Sequence, residues 1–254
     1  MWYSRSKTKT WTKSLTGNAG RLTGHRQAIN TVWERLSRPL PFSPMTQLIS
    51  LLEPPPDLLA IQVTQQAVRS FFPLLQRGFS FGALVGCSIR ELLCEQLRLD
   101  EAYVAQRVST IFLDGKPVDD IDAAVVRDGS VLSLSAAMPG LVGAAMRKGG
   151  AYAYLRDAIT ARESGGCPSA RPGLVRMKLF NMVMEELGPG FLRRGAIVRV
   201  AELTDFFGEQ SPTFWETVVD TTLNGTPIAH DLLSNGKGLS GESIMLSVVQ
   251  AEED

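Results

Sequence analysis

The segment from Pro139 to Gly150 is glycine-rich and is the least ordinary stretch of this chain outside its internal repeat. A glycine-rich turn between a strand and a helix can bind phosphate through its backbone amides. The segment has neither the G-x-G-x-x-G spacing nor the Gly-Lys-Ser/Thr order of phosphate-binding loops. We therefore expect close backbone packing here, followed by a short linker helix from Tyr152 to Arg162.

The alternative role of this segment is protein docking. Small residues let the backbone of a partner approach closely, while Arg147 and Lys148 can pair with acidic side chains of that partner. The candidate docking residues are Gly140, Gly143, Arg147, Lys148, Gly149 and Gly150.

Side chains that commonly carry out catalysis are few in this sequence. Its two histidines are His25 and His230, which disfavours a histidine triad or a multi-histidine metal site. Asp119, Asp120 and Asp122 cluster after a predicted turn, but no acid–base pair can be identified, and we interpret them as a solvated acidic loop. We expect neither enzymatic activity nor a cofactor.

The cysteines and the hydropathy pattern predict a cytoplasmic protein. Cys87, Cys94 and Cys167 are an odd number without the two-residue spacing of zinc or dithiol motifs, which favours a reducing compartment. Cys87 and Cys94 flank an apolar helical pattern and are interpreted as packing residues. The chain has neither the apolar run of a secretory signal nor a membrane-length apolar segment, so we expect no membrane partner.

Charge is distributed unevenly along the chain. Residues 1–44 carry eight Lys and Arg against one acid, Glu34, and are predicted to be a disordered basic leader. The remainder carries 18 basic and 25 acidic residues, which disfavours nucleic-acid binding outside the leader. The composition of the leader also fits an organelle transit peptide, or an upstream start with translation beginning at Met45.

Three landmarks recur in the same order, which indicates two diverged copies of one unit. Leu113–Val118 (LDGKPV) recurs 110 residues later as Leu223–Ile228 (LNGTPI). The glycine turn at Gly129 before an apolar strand matches Gly241, and the helix start at Ile89 matches Val200.

Each landmark predicts a local structure. Asp-Gly and Asn-Gly pairs favour tight hairpin turns, and the proline that follows each pair belongs at a sheet edge. Ser88 and Glu91 form a capping box at a helix start. The predicted apolar helix stripes are Ile89, Leu92, Leu93 and Leu97 in the first copy and Val200, Leu203, Phe206 and Phe207 in the second. Strands are predicted around Ile61 and Val63, over Val131–Ser135 with Leu132 and Leu134 buried, and around Val175, Met177 and Leu179.

The sequence therefore predicts an α+β protein with two tandem β-grasp (ubiquitin-like) domains, each a mixed sheet with one helix across a face. The predicted divisions are a leader over 1–44, a first domain over 45–145, a connector helix and linker over 146–173, and a second domain over 174–254. Residues 163–173 are predicted to be flexible.

Both units resemble the ubiquitin-like sulfur carriers of the ThiS and MoaD family. The resemblance covers residues 58–144 and 174–251 and rests on Ser88–Leu93, the two Leu-x-Gly-x-Pro turns and Asp128-Gly129. In that family a terminal Gly-Gly carboxylate is adenylated by a partner and converted to a sulfur-donating thiocarboxylate. This chain ends instead in Gln250–Asp254, and Ala144 stands where the first unit would have its last glycine.

We expect a non-catalytic protein-interaction module built from degenerate sulfur-carrier-like domains, with an unidentified protein partner. Two alternatives remain open. Cleavage after Gly150 or Gly166 would create a diglycine end and a sulfur carrier for molybdopterin- or thiamin-type sulfur transfer. The basic leader, with Trp2, Trp11 and Trp33, would instead suit RNA-associated binding.

Overall fold

The computed structural model describes residues 56–160 and 170–251. These residues form a large mixed sheet with helices, which confirms the predicted α+β class. The predicted leader, His25, Cys167 and the Gly165-Gly166 pair lie outside the described residues. In the described part, every helix is too short or too polar to cross a lipid bilayer.

Twelve strands occur within the described ranges. Ten of them form one sheet in the order β11-β10-β1-β12-β9-β2-β8-β7-β4-β5, and β3 pairs separately with β6. The strands are β1 (Leu58–Val63), β2 (Phe79–Val85), β3 (Cys87–Ser88), β4 (Thr110–Leu113), β5 (Lys116–Pro117), β6 (Val125–Val126), β7 (Val131–Ser135), β8 (Arg171–Phe180), β9 (Ala196–Arg199), β10 (Val218–Leu223), β11 (Thr226–Pro227) and β12 (Ser243–Gln250).

The helices are mostly short, and the two longest pack on strands of the sheet. The α-helices are α1 (Phe72–Arg77), α2 (Glu101–Gln106), α3 (Gly140–Met146), α4 (Asn181–Arg194), α5 (Val200–Gly208), α6 (Pro212–Glu216) and α7 (His230–Ser234). A 3-10 helix precedes α1 at Gln65–Phe71, a π-helical turn spans Glu91–Gln96, and a second 3-10 helix spans Ala153–Ile159.

The first strand of each repeat lies among strands of the other repeat. β1 pairs antiparallel with β10 and parallel with β12, whereas β8 pairs antiparallel with β2 and parallel with β7. The positions of these two first strands in the sheet are not equivalent. β1 lies between β12 and β10, whereas β8 lies outside the pair that β7 and β4 form directly.

The predicted linker ends earlier than expected. β8 begins at Arg171, three residues before the predicted second domain, and its first residues pair with β2. Residues 171–173 are therefore strand and not linker.

The two hairpin turns have the same backbone geometry in both repeats. Asp114 and Gly115 have φ values of 50° and 78°, and Asn224 and Gly225 have the same pair of values. Each turn joins a strand to a two-residue strand that ends in proline, Pro117 in β5 and Pro227 in β11. Because β5 and β11 are the outermost strands of the sheet, both prolines lie at sheet edges, as predicted.

The predicted helix start and apolar stripes are confirmed. The Ser88 amide donates to the Glu91 carboxylate at 2.8 Å and the Glu91 amide donates to the Ser88 hydroxyl at 3.1 Å, a reciprocal capping box. The first stripe is fully buried, and of the second only Val200 is partly exposed. Alternate strand residues join the same core, among them Leu59, Ile61, Val63, Leu132, Leu134, Val175, Met177 and Leu179.

A polar cluster inside the protein joins the two repeats. Glu186 of α4 is buried, and it accepts a hydrogen bond from the Tyr103 hydroxyl of α2 at 2.8 Å and hydrogen bonds from the guanidinium of Arg107. Burial and the neighbouring Glu186 carboxylate raise the pKa of Tyr103 well above its usual value, so this phenol stays a donor. The cluster supplies partners for every group that it buries.

The strand exchange predicts that cutting the chain between β7 and β8 leaves its halves associated. A protease site inserted between Gly165 and Gly166 should, after cleavage, give one species on size-exclusion chromatography that separates only in denaturant. Each half alone lacks a strand from its own part of the sheet and is expected to be unfolded by circular dichroism. Two fragments that elute separately and folded would contradict the observed pairing.

Glu186→Gln should destabilise the protein by about 2 kcal/mol, since it removes the charge that faces Arg107 and leaves one hydrogen bond badly matched. The neighbouring Glu185 offers a matched control, because its ion pair with Arg69 is solvent-exposed. Glu185→Gln should change stability by less than about 1 kcal/mol. Urea unfolding of both variants measures the difference, and equal losses would argue against a stabilising role for the cluster.

Candidate docking surface and its neighbouring cavity

The glycine-rich segment and the residues after it form a surface connector, defined here as residues 139–160. Its first part, predicted as turn-like packing, is the helix α3, and the predicted linker helix is a shorter 3-10 helix over Ala153–Ile159. α3 and this 3-10 helix pack against each other. The expected close backbone packing is present at Gly143, where a Cβ atom would collide with the Met138 carbonyl.

One buried arginine attaches the connector to the body of the protein. Arg156 is 3% exposed and donates from Nε to the Ala145 carbonyl at 2.6 Å and from Nη2 to the Arg147 carbonyl at 3.0 Å. Its two Nη groups also bind both oxygens of Asp119 at 2.8 and 3.0 Å. A single side chain thus satisfies the carbonyls at the end of α3 and ties them to the loop after β5.

Asp119 is the acceptor at the centre of this attachment. Besides Arg156, it accepts a hydrogen bond from the Gly149 amide at 2.8 Å. Burial on its own raises the pKa of Asp119, but the hydrogen bonds from Arg156 and Gly149 and the charge of Arg156 outweigh burial and lower it below its usual value. The carboxylate is therefore held in its charged form.

Large apolar side chains are exposed along the connector. Leu141 and Val142 of α3 are 65% and 71% exposed, and Tyr152, Tyr154 and Leu155 are 46%, 69% and 56% exposed. Elsewhere in the described residues, large apolar side chains with comparable exposure are dispersed, at Leu84, Met182, Val219 and Leu232. We call the five connector residues the connector patch.

The structure brings some of the predicted docking residues together and leaves others aside. Arg147 is exposed and directly follows α3, and Gly149 and Gly150 form the turn between the two short helices. Lys148 is half-buried and lines a neighbouring cavity. Gly140 and Gly143 shape the helix, since Gly140 has a positive φ of 81° and Gly143 packs against backbone.

The cavity beside the connector has a volume of about 430 Å³. Its walls are Arg90, Glu101, Val104, Ala105, Asp119, Asp120, Ile121, Asp122 and Lys148. The predicted acidic loop thus lines a cavity, and its acids are engaged. Arg90 binds both oxygens of Asp122, and Asp120 accepts from the amides of residues 122 and 123. Asp120 and Asp122 are exposed as predicted, whereas Asp119 is partly buried in an ion pair.

Sequence reasoning missed the connector patch and its anchor. The sequence shows that the patch residues are apolar and lie close to the glycines, but it does not show that their side chains are exposed, because exposure depends on where α3 packs. Arg156 and Asp119 are separated by 37 residues, and nothing local in the sequence links them. His230, at the start of α7, stacks on Trp215 with ring centroids 5.2 Å apart.

Acidification should loosen the connector. Because the folded pKa of Asp119 is depressed, its contribution to stability is complete above its unfolded pKa of about 4 and is lost as pH falls through the folded value. The protection factors of residues 140–156 against hydrogen exchange should therefore fall below about pH 4, ahead of the protection factors of β8. Asp119→Asn should show fast exchange there already at pH 7, while Asp128→Asn should not. Connector exchange that is unaffected by Asp119→Asn would contradict this attachment.

Comparisons with known proteins give no relative from which a role could be transferred. Protein-family models, curated proteins and solved structures all gave no match to this chain. Within the described residues, no group of three or more His, Cys, Asp or Glu side chains is arranged to hold a metal ion.

Proposed function

We propose that this protein is a non-catalytic protein-interaction module built from two degenerate β-grasp-like repeats, and that it binds its partner through the connector patch. The observation that carries the proposal is the concentration of exposed Leu141, Val142, Tyr152, Tyr154 and Leu155 on one anchored segment. Contiguous exposed apolar side chains on a soluble protein mark interaction sites more often than isolated ones do.

The composition and anchoring of the patch support this role. Tyrosine and arginine are enriched in protein interfaces, and the connector carries two exposed tyrosines and the exposed Arg147. The ion pair of Arg156 with Asp119 fixes the connector before binding, so less conformational entropy is lost when a partner docks.

Charge defines the chemistry of the partner. The carboxylates nearest the connector are already paired, Asp119 with Arg156 and Asp122 with Arg90. Arg147 has no such acid in the described residues. The partner is therefore a protein surface that covers the patch with apolar side chains and offers a carboxylate to Arg147.

Features of both repeats support the finer assignment to the β-grasp type. Each repeat contributes a hairpin with the same turn, a helix after its second strand and a terminal strand preceded by a glycine turn. The diglycine at Gly149-Gly150 lies in a turn whose Gly149 amide is bound by Asp119, which favours docking over sulfur donation. The RNA alternative rests on residues 1–44, outside the described residues.

The test combines partner isolation with charge substitutions in the patch. A partner recovered from the native cell should be purified, and its affinity measured for the wild type and for Val142→Asp/Tyr154→Asp. Loss of two buried anchors at about 2 kcal/mol each should weaken binding by far more than 30-fold. A photo-crosslinking residue at position 142 should attach to the partner.

Val219→Asp is the matched control, because Val219 is 58% exposed on β10, away from the connector. It should bind the partner like the wild type. Arg147→Ala should weaken binding by a smaller factor and reduce its salt dependence. A partner that binds the patch double variant with wild-type affinity would overturn the proposal.

A further inference from the structure

Lys148 occupies an unusual position in the wall of the cavity. Its backbone amide donates to the Ser109 carbonyl at 2.7 Å, which fixes the residue against the body of the protein. Its Nζ donates to the Val104 carbonyl at 3.2 Å, and the side chain is half-buried. A protonated lysine amine can donate three hydrogen bonds, and here the uncharged Val104 carbonyl accepts one of them.

The acids around Lys148 do not neutralise it. Asp119 is bound by Arg156 and Gly149, and Asp122 is bound by Arg90. No ion pair within residues 56–160 and 170–251 includes Lys148. The ionisable groups around the cavity are Arg90, Cys94, Glu101, Asp119, Asp120 and Asp122.

This environment disfavours the protonated amine. Burial lowers the pKa of Lys148, and the positive charge of Arg90 lowers it further, while Cys94 acts in the opposite direction. A larger share of the amine is therefore neutral near pH 7 than for an exposed lysine, and the neutral amine is the nucleophile.

We propose that Lys148 is a reactive amine that captures a small aldehyde with a compact apolar body as an imine inside this cavity. The Nζ lone pair adds to the carbonyl carbon, and a proton moves from nitrogen to oxygen to give a carbinolamine. Loss of one water then forms the C=N bond, with no change of oxidation state and no further reactant. Val104, Ala105 and Ile121 provide apolar walls for the body of the aldehyde, and a volume of about 430 Å³ accommodates a small molecule.

The experiment is competitive reductive trapping on the full-length protein. Benzaldehyde and cyanoborohydride convert each imine into a stable benzylamine, and peptide mass spectrometry gives the rate at each lysine. Lys148 should react several-fold faster at pH 7 than the exposed Lys116 and Lys237, with a rate that saturates with aldehyde. A rate at Lys148 equal to or below that of Lys116 would overturn the proposal.

Two further readouts distinguish a perturbed amine from an accessible one. The advantage of Lys148 over Lys116 should shrink as pH rises toward about 10, where an ordinary lysine also becomes neutral. Arg90→Gln should slow labelling of Lys148 several-fold at pH 7 and leave Lys116 unchanged, because it removes one positive charge and frees the Asp122 carboxylate. If Lys148 is still labelled faster than Lys116 at high pH and Arg90→Gln has no effect, Lys148 is only an accessible lysine, and the proposal is overturned. Lys148 is not one of the five patch residues, and the labelling uses the protein without a partner, so failure of this test is distinguishable from failure of the proposed docking.

Discussion

The parallel pairing of β7 with β8 is the constraint on which the arrangement of this protein depends. Two adjacent parallel strands cannot be joined by a tight turn, because the chain must return to the starting end of the sheet before the second strand begins. The chain between β7 and β8 must make that return, and residues 136–160 and 170 are the part of it that the structure describes. The connector, its exposed apolar side chains and its anchoring arginine thus exist because the second repeat places its first strand in the sheet of the first.

Exchange of first strands also determines where polar groups are buried. The helices α2 and α4 come from different repeats, and Glu186 meets Tyr103 and Arg107 at their contact. Arg156 is buried as well, and it joins the connector to the loop after β5. Burying such charges is costly unless every donor and acceptor is matched. Both sites meet that condition, and the Glu186 cluster, which joins α2 to α4, favours one arrangement of the two repeats.

The parts of the fold that local physics determines could be predicted from the sequence. Asp114-Gly115 and Asn224-Gly225 require positive φ, and Ser88 with Glu91 satisfies helix amides within three residues. The buried faces of the strands follow from alternation of side chains. The exchange of first strands between the repeats could not be predicted. The internal repeat indicates two equivalent units, but which distant strands pair with each other depends on the assembly of the whole sheet. The glycine-rich segment stood out by its composition, but its anchor could not be found, because Arg156 and Asp119 are 37 residues apart in the sequence.

The proline hairpins at both margins of the sheet have a consequence for self-association. An open margin with a full row of free amides and carbonyls can template polymerisation by adding strands from other copies. Here the outermost strands β5 and β11 are two residues long, and each ends in a residue without an amide hydrogen. A ten-stranded sheet with such margins offers few free amides and carbonyls to an incoming strand, so it resists fibril growth at its flanks.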